Sequence, residues 1–202
     1  MRCYSNVAAF VLAGGASRRM GQDKALLELS GVPMVVRMAR LVEPLVTSVA
    51  VVAPGERYAS LGLCMVADLW PGAGPLGGIL TALGASTVEW NLIVGCDLPF
   101  LTREWIEWIV SRALNSSAQA VVPESQRGIE PLSAMYRKNC APALAAAFGR
   151  GVRRVSEALG EVVFDPVTGE EWHALDSVAA LFQNVNTPDD FAEVQRRIAM
   201  TL

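Results

Sequence analysis

Short aliphatic and β-branched runs alternate along this chain with segments of helical spacing, and that alternation limits the fold more than any other feature. The runs occupy 7–13, 48–53, 63–67, 91–95 and 119–123. Their length and weak polar alternation suit strands buried on both faces, as in a parallel sheet. A helix is expected from Pro33, a residue suited to a first helical position, to near Pro44. Met34, Val35, Met38, Leu41, Val42 and Leu45 fall on its apolar face, with Arg37 and Arg40 opposite. A second helix follows a Thr102 cap and buries Ile106, Ile109, Val110 and Ala113. A third opens at Thr187-Pro188-Asp189-Asp190, where Thr187 caps and Asp190 reaches back, and presents Phe191, Val194 and Ile198. Strand–helix alternation predicts an α/β, three-layer, doubly wound fold with a mostly parallel sheet and ligands at the carboxyl ends of its strands. No linker or repeat divides the chain, so a single domain over 1–202 is expected. Segments 125–136 and 161–172 are less regular and read as a β-hairpin insertion or a cover for a second substrate.

Composition narrows the function. The chain is 52% hydrophobic and 18% charged, enough apolar material for a buried core. Its formal net charge of -3 argues against nucleic acid as a partner. The pairs Arg18-Arg19, Arg153-Arg154 and Arg196-Arg197 are local and suit a small polyanion. The four cysteines form no C-x-x-C pair, and Cys64 and Cys96 sit in apolar runs where buried free thiols are expected. With His173 the single histidine, a cysteine/histidine zinc site is excluded, and His173 reads as a surface or core residue rather than a base. The apolar run at 7–13 is at the short end for a signal-peptide core and leads through Gly14-Gly15 into Arg18-Arg19, so a signal peptide is not expected, and no stretch approaches the ~20 residues that span a bilayer. A soluble, cytoplasmic protein with no membrane partner is expected.

The chemistry concentrates in 12–24, directly after the first strand. Gly14 and Gly15 allow close backbone approach to a ligand, successive amides form an anion cradle, and Arg19 and Lys24 add full positive charges. A triphosphate is the natural occupant. The loop is not a P-loop, because Gln22-Asp23 separate Gly21 from Lys24 and Ala25 follows; nor does it carry the dinucleotide fingerprint. Asp97, in Gly95-Cys96-Asp97-Leu98-Pro99, ends an apolar strand. Thr102 is better placed to cap the next helix, which leaves Asp97 free to hold Mg²⁺, a cation content with one or two carboxylates plus phosphate oxygens and water. Asp68 ends another strand and is a possible second contributor. It is followed by a glycine-rich loop, Gly72-Ala73-Gly74-Pro75-Leu76-Gly77-Gly78, suited to base and ribose contacts.

Together these elements resemble the molybdenum cofactor guanylyltransferases of the MobA family, within the nucleotidyltransferase superfamily and its Rossmann-like fold. The similarity lies in L-A-G-G-x-S-x-R-M-G-x-D-K from Leu12 to Lys24, Gly74-Pro75-Leu76-Gly77-Gly78, Cys96-Asp97-Leu98-Pro99, Pro131-Leu132-Ser133-Ala134-Met135-Tyr136, Arg153-Arg154 and Asn184-Val185-Asn186-Thr187-Pro188. The resemblance implies GTP as co-substrate, a molybdopterin acceptor with a terminal phosphate, Mg²⁺, and pyrophosphate as leaving group. It implies nucleotide contacts from Leu12, Ala13, Gly14, Gly15, Lys24, Asp68, Gly77 and Asp97. Catalytic roles fall to Arg19, Lys24 and Asp97, with Asp97 as metal ligand, and acceptor contacts to Arg153, Arg154, Asn184 and Asn186. Transient contact with other cofactor-synthesis proteins or molybdoenzyme chaperones is implied too.

One departure bears on the base. Guanine-using relatives often carry an asparagine just after the second strand, where this chain reads Val52-Ala53-Pro54-Gly55. CTP-using relatives tend to have Ala-Gly where this chain has Gly14-Gly15, which favours GTP. A CTP-dependent or sugar-phosphate nucleotidyltransferase of the same superfamily stays open as an alternative, as does a non-catalytic nucleotide-binding regulator.

Overall fold

The computed structural model of the chain describes residues 3–15, 20–176 and 180–200. Its strands are β1 (Tyr4–Leu12), β2 (Glu28–Leu29), β3 (Val32–Pro33), β4 (Val46–Ala53), β5 (Met65–Ala67), β6 (Trp90–Gly95), β7 (Ala120–Ser125), β8 (Gly128–Ile129), β9 (Ser133–Arg137) and β10 (Phe164–Val167). Its helices are α1 (Met34–Val42), α2 (Pro75–Ala85), α3 (Arg103–Leu114), α4 (Ala141–Gly149), α5 (Val155–Ala158), α6 (Gly169–Trp172) and α7 (Pro188–Ala199). The main sheet runs β10-β7-β9-β6-β1-β4-β5, with β8 hairpinned onto β7 and β2-β3 a separate small pair.

β1 lies inside the sheet, parallel to both β4 and β6. Successive side chains of a strand face opposite ways, and β1 has something apolar to offer each side. Val7, Ala9 and Val11 join a core beneath α1 and α3, whereas Ala8 and Phe10 join one beneath α2 and α4. This is the expected three-layer, doubly wound arrangement, with helices on both faces of a mostly parallel sheet. No helix among the described residues is long and apolar enough to cross a membrane.

The helix ends follow their local chemistry. The Thr102 side chain accepts from the Trp105 amide and starts α3. Thr187 and Asp190 form the reciprocal capping box of α7, with Pro188 in its first turn. Pro33 behaves differently from expectation. It lies in β3 as the residue before α1, because pairing of Glu28 with Pro33 claims it for the hairpin.

Three further expectations are revised. Cys64 is exposed while Cys96 is buried. Cys64 precedes β5, which has a partner on one side only, so side chains there meet solvent. Segment 125–136 is only partly a hairpin. After the short β7–β8 turn it enters the sheet as β9, antiparallel to both β6 and β7. Segment 161–172 supplies β10, which extends the sheet beside β7, followed by α6. The pairings of β9 with β6 and of β10 with β7 are not local in sequence, which is why periodicity alone did not show them.

β9 also carries a buried polar contact. The Trp105 indole N–H donates to Ser133 Oγ at 2.8 Å, and both residues are fully buried. A buried donor left without its acceptor costs about 1–3 kcal/mol. Ser133→Ala should lower the unfolding free energy by about that amount, read from the urea midpoint. An unchanged midpoint would show that the contact contributes nothing.

Candidate active site

The carboxyl ends of β1, β4, β5 and β6 open onto a cavity of about 380 Å³. Its walls come from the loop after β1 (Leu12 to Gly15, and Lys24), from Asp68 and the start of α2, from Cys96 and Asp97 after β6, and from Leu132 and Asn184. Parallel pairing sets this convergence: the β1–β6 register places Leu12 beside Gly95, so both loops leave the sheet side by side.

The loop after β1 is clasped from below. Asp23 accepts from the Ala25 amide at 3.1 Å and thereby starts the 3₁₀ turn Lys24–Leu26. The Tyr58 hydroxyl lies 2.8 Å from Asp23 Oδ2 and 3.2 Å from the Ala13 carbonyl, and Arg57 Nη1 donates to Asp23 at 3.2 Å. Burial, then the neighbouring Asp23 carboxylate, raises the Tyr58 pKa, so the hydroxyl keeps its proton and links the two ends of the loop. Among the described residues of the loop, Gly21 is left-handed (φ 69°), whereas Gly14 and Gly15 are not. Residues 16–19 lie outside the described residues, and the expectation for Arg19 falls there.

Lys24 forms an ion pair with Asp97 and reaches Asn186 Oδ1 at 3.5 Å. Asp97 is only 9% exposed. Its carboxylate folds back over the preceding strand end, where a Cβ added at Gly95 would lie 2.6 Å from Oδ1. Gly95 is therefore part of how Asp97 is aimed. The Asp97 carbonyl accepts from the Val185 amide at 3.0 Å, which straps the segment carrying Asn184 and Asn186 alongside. Arg127 fastens the same segment by donating to the Phe182 carbonyl. Cys96 is buried and its thiol pKa is raised, first by burial and then by Asp97, so it is a wall rather than a nucleophile.

On the opposite wall, Asp68 Oδ1 accepts from the Trp70 amide at 3.0 Å and from the Thr81 hydroxyl at 3.1 Å. Its Oδ2 faces Gly14, 3.4 Å from where a Cβ would sit. Gly78 rather than Gly77 lines the cavity. Gly77 packs under the second glycine loop, where a Cβ would come within 2.9 Å of Trp70 Cβ. The structure does not bring Arg153 or Arg154 to this cavity. Arg153 donates to the Phe148 and Val152 carbonyls at 2.8 and 2.9 Å and lies 4.1 Å over the Phe148 ring, while Arg154 is the residue before α5. His173 is exposed and lines a different hollow.

Tyr58, Gly95, Glu130 and Arg127 were not read from the sequence. Glu130, before β9, accepts from the Ser125 hydroxyl at 2.6 Å, and its pKa is raised first by burial, with the Asp97 charge adding to it. Only the glycine next to Cys96-Asp97 carried a usable signal. Tyr58 meets a partner 35 residues away, and nothing local marks it.

A glycine-lined cavity at the carboxyl ends of a doubly wound sheet, with a lysine and a carboxylate paired in its wall, is an arrangement that suits a nucleotidyltransferase. The comparisons with known proteins give the family. Residues 9–162 match the MobA-like NTP transferase domain. The chain is 34% identical to a probable molybdenum cofactor guanylyltransferase of Pelotomaculum thermopropionicum, covering 92% of this chain and 90% of that one. It is 36% identical to a protein of the same description from Trichormus variabilis, covering 95% and 91%. Molybdopterin-guanine dinucleotide biosynthesis protein A from Archaeoglobus fulgidus superposes with a TM-score of 0.84 at 25% identity, over 96% of this chain and 99% of that one. The chain belongs to the MobA-like NTP transferase family.

Tyr58→Phe removes the hydroxyl between Ala13 and Asp23. A hydrogen bond to a charged group contributes about 1.5–3 kcal/mol, so stability should fall by about that much and nucleotide binding should weaken, both readable by thermal shift with and without GTP. A ligand-induced shift as large as in the unaltered chain would separate Tyr58 from the loop's function.

Proposed function

We propose that this chain transfers GMP from GTP to the terminal phosphate of molybdopterin, releasing pyrophosphate. The observation that carries the proposal is the Lys24–Asp97 pair at the mouth of the glycine-lined cavity, with Asn186 within reach of the same ammonium. The names of the curated relatives and of the Archaeoglobus fulgidus structure support the acceptor and the base.

The acceptor phosphate is already an anion, so the reaction needs no strong general base. One of its oxygens attacks the α-phosphorus of GTP, the bond from that phosphorus to the bridging oxygen breaks, and the electron pair leaves with pyrophosphate. The obstacle is bringing two polyanions together and stabilising the departing charge. Positioning and preorganised charge meet both needs. In the free chain, Asp97 neutralises Lys24. An ammonium has three donors, so Lys24 turns toward phosphate oxygens without leaving the site. Asn184 and Asn186, strapped beside Asp97 through Val185, face the acceptor phosphate.

Asp97 and Asp68 bring carboxylates to the cavity wall. That donor set fits Mg²⁺, which takes one or two carboxylates and completes its shell with phosphate oxygens and water. Asp97 would hold it. The bound ion supplies Lewis-acid charge at the phosphates.

Asp68 addresses the missing asparagine after β4. The Val52 and Ala53 carbonyls are already taken by the Ala13 and Asp68 amides. Asp68 Oδ2 is an acceptor on that wall, and the Watson–Crick edge of guanine presents donors that suit it. The four cysteines are all free, in keeping with the reducing cytoplasm, where we place the protein.

The test is pyrophosphate release with each of the four nucleotides, with and without molybdopterin and Mg²⁺. Turnover should require GTP, acceptor and Mg²⁺ together; release with CTP alone among the nucleotides would overturn the base assignment. Lys24→Ala should lose about 3 kcal/mol of transition-state stabilisation, the scale of removing one preorganised donor. Asp97→Ala should abolish Mg²⁺-dependent turnover with the circular dichroism spectrum unchanged. Near-normal rates in either variant would remove that residue from the chemistry.

A further inference from the structure

Cys96 belongs to the wall of two cavities. One is the nucleotide cavity; the other, of about 330 Å³, lies between α1, the β2–β3 hairpin and the chain just beyond Asp97. Most of its lining side chains are apolar: Met34, Met38 and Leu41 come from α1, and Leu98 and Leu101 from the segment after Asp97. Methionines reshape readily around a guest, and the volume lies within the range of small-molecule sites.

Two arginines, Arg37 and Arg40, line the same cavity. Arg40 is exposed, but Arg37 is half-buried. Neither takes part in a hydrogen bond or ion pair with any described residue. Two guanidinium groups beside apolar side chains, both still open to water, can offer a bound carboxylate or sulfonate charge-assisted hydrogen bonds. The helical spacing of Arg37 and Arg40 puts both charges on one flank of α1, three residues apart, as neighbours.

We propose that this rear cavity binds a small amphipathic anion, an apolar ring system bearing one acidic group, and that its occupancy changes nucleotide affinity. The ring system would rest on Met34, Met38 and Leu98, and the acid would meet Arg37 and Arg40. The coupling follows from adjacency. Cys96 and Leu98, which line the rear cavity, are the immediate chain neighbours of Asp97, so filling the space bears on the backbone that aims the carboxylate. Coupling between two sites is reciprocal, so nucleotide should change the affinity of the anion by the same factor. Binding in the rear cavity does not depend on the reaction proposed above; the coupling rests on Asp97 serving the nucleotide.

The probe is 8-anilinonaphthalene-1-sulfonate, an aromatic sulfonate that fluoresces when it leaves water. It should titrate the full chain at one site, bind at least ten-fold more weakly to Arg37→Gln, and fail to bind Leu41→Trp, where a part-exposed helical position fills the space. GTP affinity, measured by calorimetry with the probe saturating, should shift at least three-fold. Probe binding unaffected by either substitution would overturn the site, and an unchanged GTP affinity would overturn the coupling. A chain that binds no GTP would sink both the guanylyl reading and the coupling, while the two variants would still decide the cavity.

Discussion

The contact between Lys24 and Asp97 is the constraint around which the rest of the molecule is arranged. Their side chains are only 17% and 12% exposed, so each needs the other while no ligand is present. They are separated by 73 residues and meet because β1 and β6 lie in parallel register and release their loops at the same edge. A parallel sheet puts every strand's carboxyl end on one side, so chemistry distributed over distant segments collects there. The apolar composition of β1 and β6, buried on both faces, is thus the indirect reason the charged pair forms.

Several supports converge on that pair from different parts of the chain. Tyr58, brought in after β4, holds Asp23 and Ala13 and so sets the path of the loop that delivers Lys24. Gly95 leaves room for the Asp97 carboxylate to fold back. The segment before α7 is tied to the Asp97 carbonyl through Val185, whose side chain sits in a small apolar cluster with Met20, Leu27, Leu29, Met34 and Val194. That cluster packs the far end of the chain against the loop near its beginning. The capping box of α7 fixes where the helix starts, and hence where Asn186 stands.

Much of this was legible beforehand. The buried strands, α3, α7 and the residues after β1 could be read because each has a local signature: an aliphatic run, a capping threonine, glycines with charges between them. Spacing did not place β9 in the sheet because its four buried residues form a short run closed by Pro131 and Arg137, and its partner β6 is distant in sequence. Cys64 was misjudged for a related reason. An apolar neighbourhood in sequence does not say whether a strand has one partner or two. Arg153 and Arg154 illustrate a different gap. A pair of arginines looks the same whether it meets a ligand or, as Arg153 does, the carbonyls at the end of α4.

By itself, the sequence determined the alternation of strands and helices, the starts of α3 and α7, and the chemical type of the loop at 12–24, since these depend on side chains close together along the chain. Only the tertiary structure decided which carboxylate Lys24 meets, which aspartate oxygen faces Gly14, which glycines of the second loop line the cavity, and that a rear cavity shares Cys96 with the first. Those outcomes depend on strand order and on how helices settle over a sheet. They are set by many weak apolar contacts acting together, and no single segment of the chain records them.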